Sequence, residues 1–372
     1  MKIDRIETFI LHVPVTRGII KDSTFSVTHR SAPGVILHTD DGVKGYGFTG
    51  TQGHLDSDRL IVGAIEKCYG PLLMGRDPTE ARQIWQDLYH HPPLQYVGRG
   101  GIMHLALAAV DIALWDIKAK AAGLPLWRLL GGGADKQVAI YNTDAGWLNW
   151  PIERMVDDAL AGISEHGFVG VKIKFGSPDL LNDVKRIAAV REAVGPDVLL
   201  MVDGNGRWDY PTALRFCQRI RDLDVTWIEE PLWFDDLAGH ARLARAQQIP
   251  IALGEQLYLT DHFRDFIGAG AVHFVQPDAV RLAGITEWWR VADLAHANRL
   301  PVCAHTGDMM QVHAHLSVAH AGVTMLENLP WMRDCFVDPV AISEGHLVKP
   351  TLPGAGTTPT DDALRRFNVL NS

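Results

Sequence analysis

The pattern of hydrophobic and polar residues divides the chain into two parts, with the change near residue 130. In the first part, 3–13 alternates between apolar and polar positions, and two short apolar runs flank a turn at Asp41-Gly42. This pattern predicts antiparallel strands joined by a hairpin. From about 56 to 122 apolar residues recur every three or four positions, as they do along a helix. The first part is therefore predicted to be a domain of strands followed by helices.

A polar stretch, 16–33, interrupts the predicted strands of the first part. It is too long for an ordinary turn, and long loops in compact domains often serve as lids or binding loops. It is therefore a candidate lid, and an ordinary solvated loop is the alternative. Its many hydroxyl, imidazole and guanidinium groups suit a polyhydroxylated ligand better than an aryl ring.

After residue 133 short β-branched runs alternate with longer, charged amphipathic segments. This alternation is typical of β/α units on a parallel sheet, and eight candidate strands are visible. Such a sheet is either doubly wound or closed into a barrel, and no GxGxxG fingerprint follows the first strand, which favours the barrel. A barrel of this kind takes about 250 residues, which leaves the preceding part of the chain for a second domain.

Seven of the apolar runs end in, or just before, an ionisable residue. These residues stand 29, 26, 26, 23, 27 and 22 positions apart, a separation that fits one β/α unit per step. One charged residue at a strand end is more often an ordinary surface charge, but the ends of barrel strands meet on the face where active sites are built. Seven ionisable residues at equivalent positions of successive β/α units therefore predict one polar site. They are Lys174, Asp203, Glu229, Glu255, Asp278, His305 and Glu327.

Three consecutive members of this set, Asp203, Glu229 and Glu255, are carboxylates. Like charges held close together are unfavourable unless a cation neutralises them. A set of oxygen ligands favours a hard ion such as Mg²⁺, or Mn²⁺ in its place, over zinc. Asn205 is predicted to point to the same side as Asp203, near the metal, whereas Glu230 is predicted to point away.

Two lysines and a histidine are the candidate acids and bases. Lys172 and Lys174 are two positions apart, so both side chains are predicted to face the barrel interior, beside anions or with a lowered pKa. The alternative is an edge strand whose lysines face solvent. Asp278, at the end of the neighbouring strand, would fix the tautomer of His305 and raise its basicity. A metal between the two bases suits removal of the proton α to a carboxylate, with Lys172 stabilising the enediolate.

Composition narrows the class of partner. The chain has 372 residues, of which 47% are hydrophobic and 21% charged, as in soluble proteins with large cores. Its net charge of -9 argues against nucleic acid or an anionic membrane surface as the main partner and leaves a small molecule. The pattern contains no export signal or membrane span, and the four cysteines are far apart. We therefore expect a cytoplasmic protein without disulfides.

The motifs at the strand ends resemble those of the mandelate racemase branch of the enolase superfamily. They are VKIK, VDGN, IEEP, GEQ, QPDA and CAH, in that family's order and spacing, and 108–132 is similar to its signature helix. The resemblance covers nearly the whole chain. It implies an N-terminal α+β capping domain, 1–125, and a modified TIM barrel of the form (β/α)7β, 126–355. A C-terminal tail, 356–372, would pack back on the cap.

Carried over position by position, the resemblance assigns a role to each site residue. The Mg²⁺ ligands would be Asp203, Glu229 and Glu255. Lys174 would be the base on one face of the substrate, and His305 with Asp278 the acid or base on the other. Lys172 and Glu327 would contact the substrate carboxylate, although the spacing from His305 to Glu327 differs by two residues from the racemase pattern. The family also implies a small-molecule carboxylate substrate and a homo-oligomer.

The resemblance leaves two reaction classes open. In the favoured one, the protein dehydrates a sugar acid, an aldonate or aldarate. Lys174 or His305 removes the C2 proton and His305 protonates the departing C3 hydroxyl, which gives a 2-keto-3-deoxy acid. In the alternative, a racemase or epimerase of a 2-hydroxy acid uses the same two bases without a leaving group. A third class, a degenerate barrel retained for binding, conflicts with the intact ligands and bases.

Several other residues have two interpretations. Arg17 in the predicted lid is a candidate substrate contact, and either Arg17 or Arg30 could hold the second carboxylate of a diacid. Trp331 and Met309 could line the pocket, although core packing is favoured. Three histidines fit one helix, with two of them on one face, better than a metal site: His313, His315 and His320.

Overall fold

The N-terminal part is an antiparallel sheet of three strands packed against a long helix, and the strands are adjacent in the order in which they occur along the chain. A computed structural model describes residues 1–51, 53–306 and 310–370, so Met309 lies outside the described residues. The strands of this part are β1 (Ile3–Pro14), β2 (Ile20–Lys21), β3 (Ser26–Val27), β4 (His29–Thr39) and β5 (Lys44–Phe48). Its helices are α1 (Asp58–Ala64), α2 (Gly70–Leu73), α3 (Ala81–Tyr89), α4 (Pro92–Gln95), α5 (Ile102–Ala121) and α6 (Leu126–Leu129).

The long helix α5 lies directly on the sheet. It is apolar on nearly all sides, as expected of a helix buried within a protein. Glycines on β5 allow the close approach, because a Cβ atom at Gly47 would lie only 1.9 Å from the carbonyl oxygen of Ala109. The predicted strands and helices of the first part are thus both present, and they share one core.

The stretch 16–33, which we predicted to be a lid, is divided between two structures. Its middle forms the small β2-β3 hairpin, in which Ile20 pairs with Val27. Its end does not form a loop but begins β4, where Arg30 pairs with Val13 of β1. The backbone of 29–33 thus obtains hydrogen bonds in the sheet that a loop would leave to water.

Eight parallel strands form a closed barrel, which confirms the predicted fold. They pair in chain order, and the last pairs with the first to close the barrel. The strands are β6 (Ala139–Asn142), β7 (Gly170–Lys174), β8 (Leu199–Asp203), β9 (Val225–Glu229), β10 (Ile251–Leu253), β11 (Phe274–Val275), β12 (Val302–Ala304) and β13 (Val323–Asn328). A helix follows each of the first seven strands. The helices are α7 (Ile152–His166), α8 (Leu180–Val194), α9 (Tyr210–Ile220), α10 (Leu237–Ala246), α11 (Thr260–Gly268), α12 (Ile285–Ala297) and α13 (Met310–Ala319).

After the eighth strand a hairpin replaces the eighth helix. It consists of β14 (Ala341–Ser343) and β15 (His346–Val348), and β15 pairs with β6 at the start of the barrel. Inside the barrel a layer of buried side chains closes the interior. Its members are Tyr141, Met201, Trp227, Ala252 and Cys303. All four cysteines are free thiols, as predicted.

A buried carboxylate joins the N-terminal part to the barrel. Asp111 on α5 accepts hydrogen bonds from the backbone N–H of Thr286 (2.9 Å) and from its hydroxyl (2.8 Å), at the start of α12. Burial raises the pKa of Asp111 to about 7. Trp115, one turn further along α5, also donates to the Thr286 hydroxyl. The two parts are therefore joined by a specific polar contact as well as by apolar packing.

We expect the Asp111→Ala variant to lose about 2 to 4 kcal/mol of unfolding free energy, because two buried donors of Thr286 would lose their acceptor. Asp111→Asn keeps one acceptor oxygen and should lose less. The measurement is the urea unfolding midpoint of both variants beside the parent chain. Equal midpoints for the parent and the alanine variant would contradict this account of the contact.

The chain returns to the N-terminal sheet after the barrel. Helix α14 (Asp361–Phe367) packs on β1. Beyond it, Asn368 Oδ1 accepts a hydrogen bond from the Ile10 N–H (3.1 Å), and the Val369 N–H donates to the Ile10 carbonyl (2.9 Å). The described part of the predicted tail thus adds to the edge of this sheet. Within the residues described, no helix is both long and apolar enough to span a bilayer.

Candidate active site

The strand ends of the barrel place the predicted ionisable residues side by side on one face. Lys174 pairs in register with Asp203, and Asp203 with Glu229, on three adjacent strands. The remaining members follow or end the other strands: Glu255, Asp278, His305 and Glu327. All seven are buried. The convergence predicted from the spacing is therefore present in the structure.

Lys172 lies at the bottom of this group, among three carboxylates. Its Nζ is 2.8 Å from Glu327 Oε1, 2.9 Å from Glu229 Oε1 and 3.5 Å from Asp203 Oδ2. Burial alone would lower the pKa of Lys172, but Glu229 and Glu327 outweigh it and raise the pKa well above its usual value. Lys172 is therefore a fixed positive charge beneath the site. The alternative of a solvent-facing lysine strand is wrong.

Lys174 lies one layer higher, on the wall of the cavity. Its Nζ donates to Asp203 Oδ2 (2.5 Å) and to Asn205 Oδ1 (2.9 Å). Burial and Lys172 both lower its pKa, but Asp203 and further carboxylates outweigh them, so the pKa is raised. Of the two possibilities, nearby anions or a lowered pKa, the structure shows nearby anions. The charge of Lys174 therefore depends chiefly on Asp203.

His305 forms a dyad with Asp278, as predicted. Its Nδ1 is 2.8 Å from Asp278 Oδ2, and its Nε2 bonds Glu255 Oε2. Burial would lower the pKa of His305, but Glu255 and the Asp278 hydrogen bond raise it to about 10. The imidazole is therefore held in its charged form, as a proton donor requires.

Glu327 is placed by two threonines that the motif comparison did not single out. The Thr143 hydroxyl donates to Oε1 (2.6 Å), and the Thr306 backbone N–H donates to Oε2 (3.1 Å). Burial would raise the pKa of Glu327, but Lys172 and His305 lower it to about 2. Despite the two-residue difference in spacing, the carboxylate lies between the lysine and the histidine of the site.

The chemistry of the donor set tests whether Asp203, Glu229 and Glu255 suit a metal ion. All three are buried, and burial together with Asp203 raises the pKa of Glu229 to about 7, so the carboxylates oppose one another's ionisation. Such a set fits a hard divalent cation. Among the described residues no three metal-ligating side chains already converge on one point, because each carboxylate is directed at its own cationic partner.

Asn205 connects two of these carboxylates. Its backbone N–H donates to Asp203 Oδ1 (3.0 Å), and its side-chain amide is 3.5 Å from Glu255 Oε1. Asn205 has a positive φ of 46°, in the left-handed region that asparagine tolerates better than most residues. Its side chain faces the cavity, whereas Glu230 is not part of the cavity wall.

The cavity above these residues has a volume of about 20 Å³, roughly the size of one water molecule. The predicted lid closes it: Asp22 and Arg30 belong to the wall, and the Ser23 hydroxyl donates to the Gly204 carbonyl across the barrel mouth (2.8 Å). Arg30 is buried with its guanidinium 3.9 Å from the ring of Trp331. The stretch 16–33 therefore contributes to the wall of the cavity.

Arg17, predicted to contact substrate, is not brought to this cavity. Its guanidinium donates to the carbonyl and carboxylate of Asp144 (2.9 and 3.2 Å) and to Asp158 (2.6 Å). It lines a separate, larger cavity of about 410 Å³ whose walls include none of the candidate acids and bases. These ion pairs hold the start of 16–33 against the barrel, and the arginine on the wall of the smaller cavity is Arg30, which belongs to β4.

The three histidines on and after α13 are not brought to one point. They face three different partners: His313 lies against Asp278, His315 accepts from the Trp127 N–H, and His320 lies 3.1 Å from Asp293.

Comparison with known proteins gives consistent matches over the whole chain. The family model described as "Mandelate racemase / muconate lactonizing enzyme, N-terminal domain" matches residues 5–131, and "Enolase C-terminal domain-like" matches 154–363. The chain is 36% identical over 334 residues to the L-talarate/galactarate dehydratase of Salmonella typhimurium, covering 88% of this chain and 80% of that protein. It is 33% identical over 373 residues, 99% of each chain, to the 3,6-anhydro-alpha-L-galactonate cycloisomerase of Streptomyces coelicolor.

A solved structure of one of these relatives has the same fold as this chain. The crystal structure of the Salmonella typhimurium dehydratase liganded with Mg and L-lyxarohydroxamate superposes with a TM-score of 0.91 at 33% identity, covering 99% of this chain and 93% of that chain.

Proposed function

The chain belongs to the mandelate racemase/muconate lactonizing enzyme family of the enolase superfamily, and from this premise we propose that it is a Mg²⁺-dependent dehydratase of a sugar acid. The reaction removes the proton α to the carboxylate of an aldonate or aldarate and eliminates the C3 hydroxyl, giving a 2-keto-3-deoxy acid. One observation carries the proposal. Lys174 bonds Asp203 and His305 bonds Glu255, so an acid or base stands at each end of the row of carboxylates.

Two proton transfers follow from the placement of these groups. The base that faces the C2 hydrogen, Lys174 or His305, takes that proton in its neutral form. The neutral form would be favoured when Asp203 or Glu255, the carboxylate that raises the pKa of that base, is engaged by Mg²⁺. His305, held as an imidazolium by Glu255 and Asp278, protonates the departing C3 hydroxyl so that it leaves as water. The resulting enol takes a proton at C3 and loses the proton of its C2 hydroxyl, which gives the keto acid. The carboxylate of Asp278 keeps Nδ1 of His305 protonated, and the substrate would replace Glu255 as the partner of Nε2.

Residues at the bottom and on the wall of the site are placed to stabilise the charge on the reacting carboxylate. Lys172 remains charged within 3.5 Å of three carboxylates, and Glu327, on the cavity wall, bonds it directly. We assign Lys172 to stabilising the enediolate and Glu327, with Asn205, to orienting the substrate. Asp203, Glu229 and Glu255 would hold Mg²⁺, which supplies Lewis-acid stabilisation of the negative charge on the substrate.

The test is a screen of mono- and diacid sugars with the Mg²⁺-loaded enzyme in deuterium oxide. We expect one group of substrates to give stoichiometric 2-keto-3-deoxy acid, detected as its hydrazone and by NMR, with deuterium at C3. The His305→Asn variant is the matched control and should give no keto acid.

An epimerase is the second candidate, because two opposed bases also suit inversion at C2. Deuterium exchange with inversion and no keto acid would establish that reaction in place of dehydration. No turnover and no exchange with any acid sugar would overturn both proposals.

A further inference from the structure

His313 lies on the opposite side of Asp278 from His305. It is fully buried on α13, and its Nε2 is 3.2 Å from Asp278 Oδ1 and 3.0 Å from the backbone nitrogen of Ala279. The two histidines therefore contact different oxygens of one carboxylate, since His305 contacts Oδ2. The order of side chains leading away from the cavity is His305, Asp278, His313.

The contacts of Asp278 fix both ends of its carboxylate. Oδ2 receives His305 Nδ1, with Arg281 Nε at 3.8 Å, and Oδ1 receives the Val280 N–H (2.9 Å) and faces His313. Burial would raise the pKa of Asp278, but the hydrogen bond of His305 and the adjacent imidazole of His313 hold it well below its usual range. The carboxylate is therefore ionised and has little freedom to rotate.

Nε2 of His313 lies close to both a hydrogen-bond donor, the Ala279 N–H, and an acceptor, Asp278 Oδ1. A neutral imidazole nitrogen either accepts from the Ala279 N–H or donates to Asp278 Oδ1, but not both. Both arrangements tie the ring to the same two-residue segment after β11. α13 is the helix that follows the strand preceding His305. The ring of His313 therefore links this helix to the segment that carries Asp278.

We propose that His313 is a positioning residue for the acid/base dyad. Through Asp278 it fixes the plane of the carboxylate, and so directs Nε2 of His305 toward the substrate. Lys174, on the far side of the cavity, has no contact with this chain of side chains among its described hydrogen bonds. The kinetic effect of changing His313 should therefore be confined to steps that use His305. This inference rests on the proposed function for its kinetic test only.

His315 is the matched control. It is two residues further along α13 and equally buried, but its Nδ1 accepts the Trp127 N–H (3.2 Å) and it does not touch Asp278. His315→Asn keeps an acceptor near that position. For His313, glutamine places an amide where Nε2 lies, whereas leucine fills similar space without a polar group. If His313→Leu does not fold, His313→Asn, whose amide is too short to reach Asp278, takes its place.

The kinetic experiment follows α-proton exchange in deuterium oxide for two sugar acids epimeric at C2, one presenting its proton to Lys174 and the other to His305. We expect His313→Leu to slow exchange of the His305-facing epimer by about 10- to 100-fold, and to change the other by less than about 3-fold. His313→Gln should recover most of the loss. Equal losses for both epimers, or none for either, would overturn the proposal.

A second measurement needs no substrate. In ¹⁵N-histidine-labelled, Mg²⁺-loaded enzyme, the Nδ1 proton resonance of His305, assigned by its loss in His305→Asn, should shift in His313→Leu. It should stay in place in His313→Gln and His315→Asn. If the resonance shows this pattern but the parent enzyme turns over no sugar acid, the positioning role stands and the proposed function is refuted. Turnover with an unmoved resonance would refute the positioning role alone.

Discussion

For a substrate whose C2 proton faces Lys174, replacing Lys174 with methionine is expected to lower kcat by at least about 10³-fold, because the variant keeps the length of the side chain but has no group that accepts or donates a proton. Nζ of Lys174 bonds Asp203 Oδ2 at 2.5 Å, so it competes for a carboxylate that we assign to the metal. Mg²⁺ affinity should therefore stay the same or increase. This combination of a lost reaction and a retained ion distinguishes a missing base from a damaged site.

The measurements are steady-state kinetics on the substrate found by the screen and calorimetric titration with Mg²⁺. Lys185→Met is the control, since it makes the same chemical change at an exposed position on α8. Its kcat should equal that of the parent enzyme. The substrate epimer that faces His305 should still exchange its α-proton in Lys174→Met. Turnover of a substrate whose C2 proton faces Lys174, within 10-fold of the parent enzyme, would show that Lys174 is not a base.

Removing divalent cations with a chelator is expected to reduce activity by at least about 10³-fold, because several kcal/mol of charge stabilisation on the enediolate would be lost. Added Mg²⁺ should restore it. Asp203→Asn should weaken Mg²⁺ binding by at least about 100-fold, since an amide replaces one of three carboxylates and leaves less negative charge to attract the ion.

Asp224→Asn is the control for this substitution. Asp224 is exposed, precedes β9 at the end of the strand opposite Glu229, and has a left-handed backbone that asparagine adopts readily. Its Mg²⁺ affinity and activity should match the parent enzyme. Full activity in the chelated enzyme, or unchanged Mg²⁺ affinity in Asp203→Asn, would contradict the assignment of the three carboxylates.

The barrel and its ring of ionisable residues could be predicted because both follow from periodicity. One β/α unit sets the spacing from Lys174 to Asp203 and onward, and the two-residue period of a strand places Lys172 and Lys174 on one side. These rules identify which residues meet. They do not identify which partner decides the protonation of each, as Asp203 does for Lys174.

The lid shows where such rules end. Arg17 and Arg30 have the same side chain in one polar stretch, and sequence alone could not assign one of them to the site. The positions of the two arginines depend on contacts with other parts of the chain. Asp144 and Asp158 hold Arg17 outside the cavity. Arg30 lies on β4, which pairs with β1, and its guanidinium lies over the ring of Trp331. The sequence likewise places His313 only on a helix, because its contact with Asp278 joins segments that are distant along the chain.

The return of the chain to β1 imposes an order of assembly during translation. Ile10 and Asn368, which bond each other, are 358 residues apart, so about 20 to 70 s separate their exit from the ribosome. Throughout this interval β1 is an uncovered edge of the nascent sheet, the kind of surface that invites pairing with other chains. Closure of the barrel waits as well, since β13 emerges long after its partner β6. The edge of the first-made sheet therefore stays uncovered until Asn368 has left the ribosome, and this is the period in which mispairing with other chains is favoured.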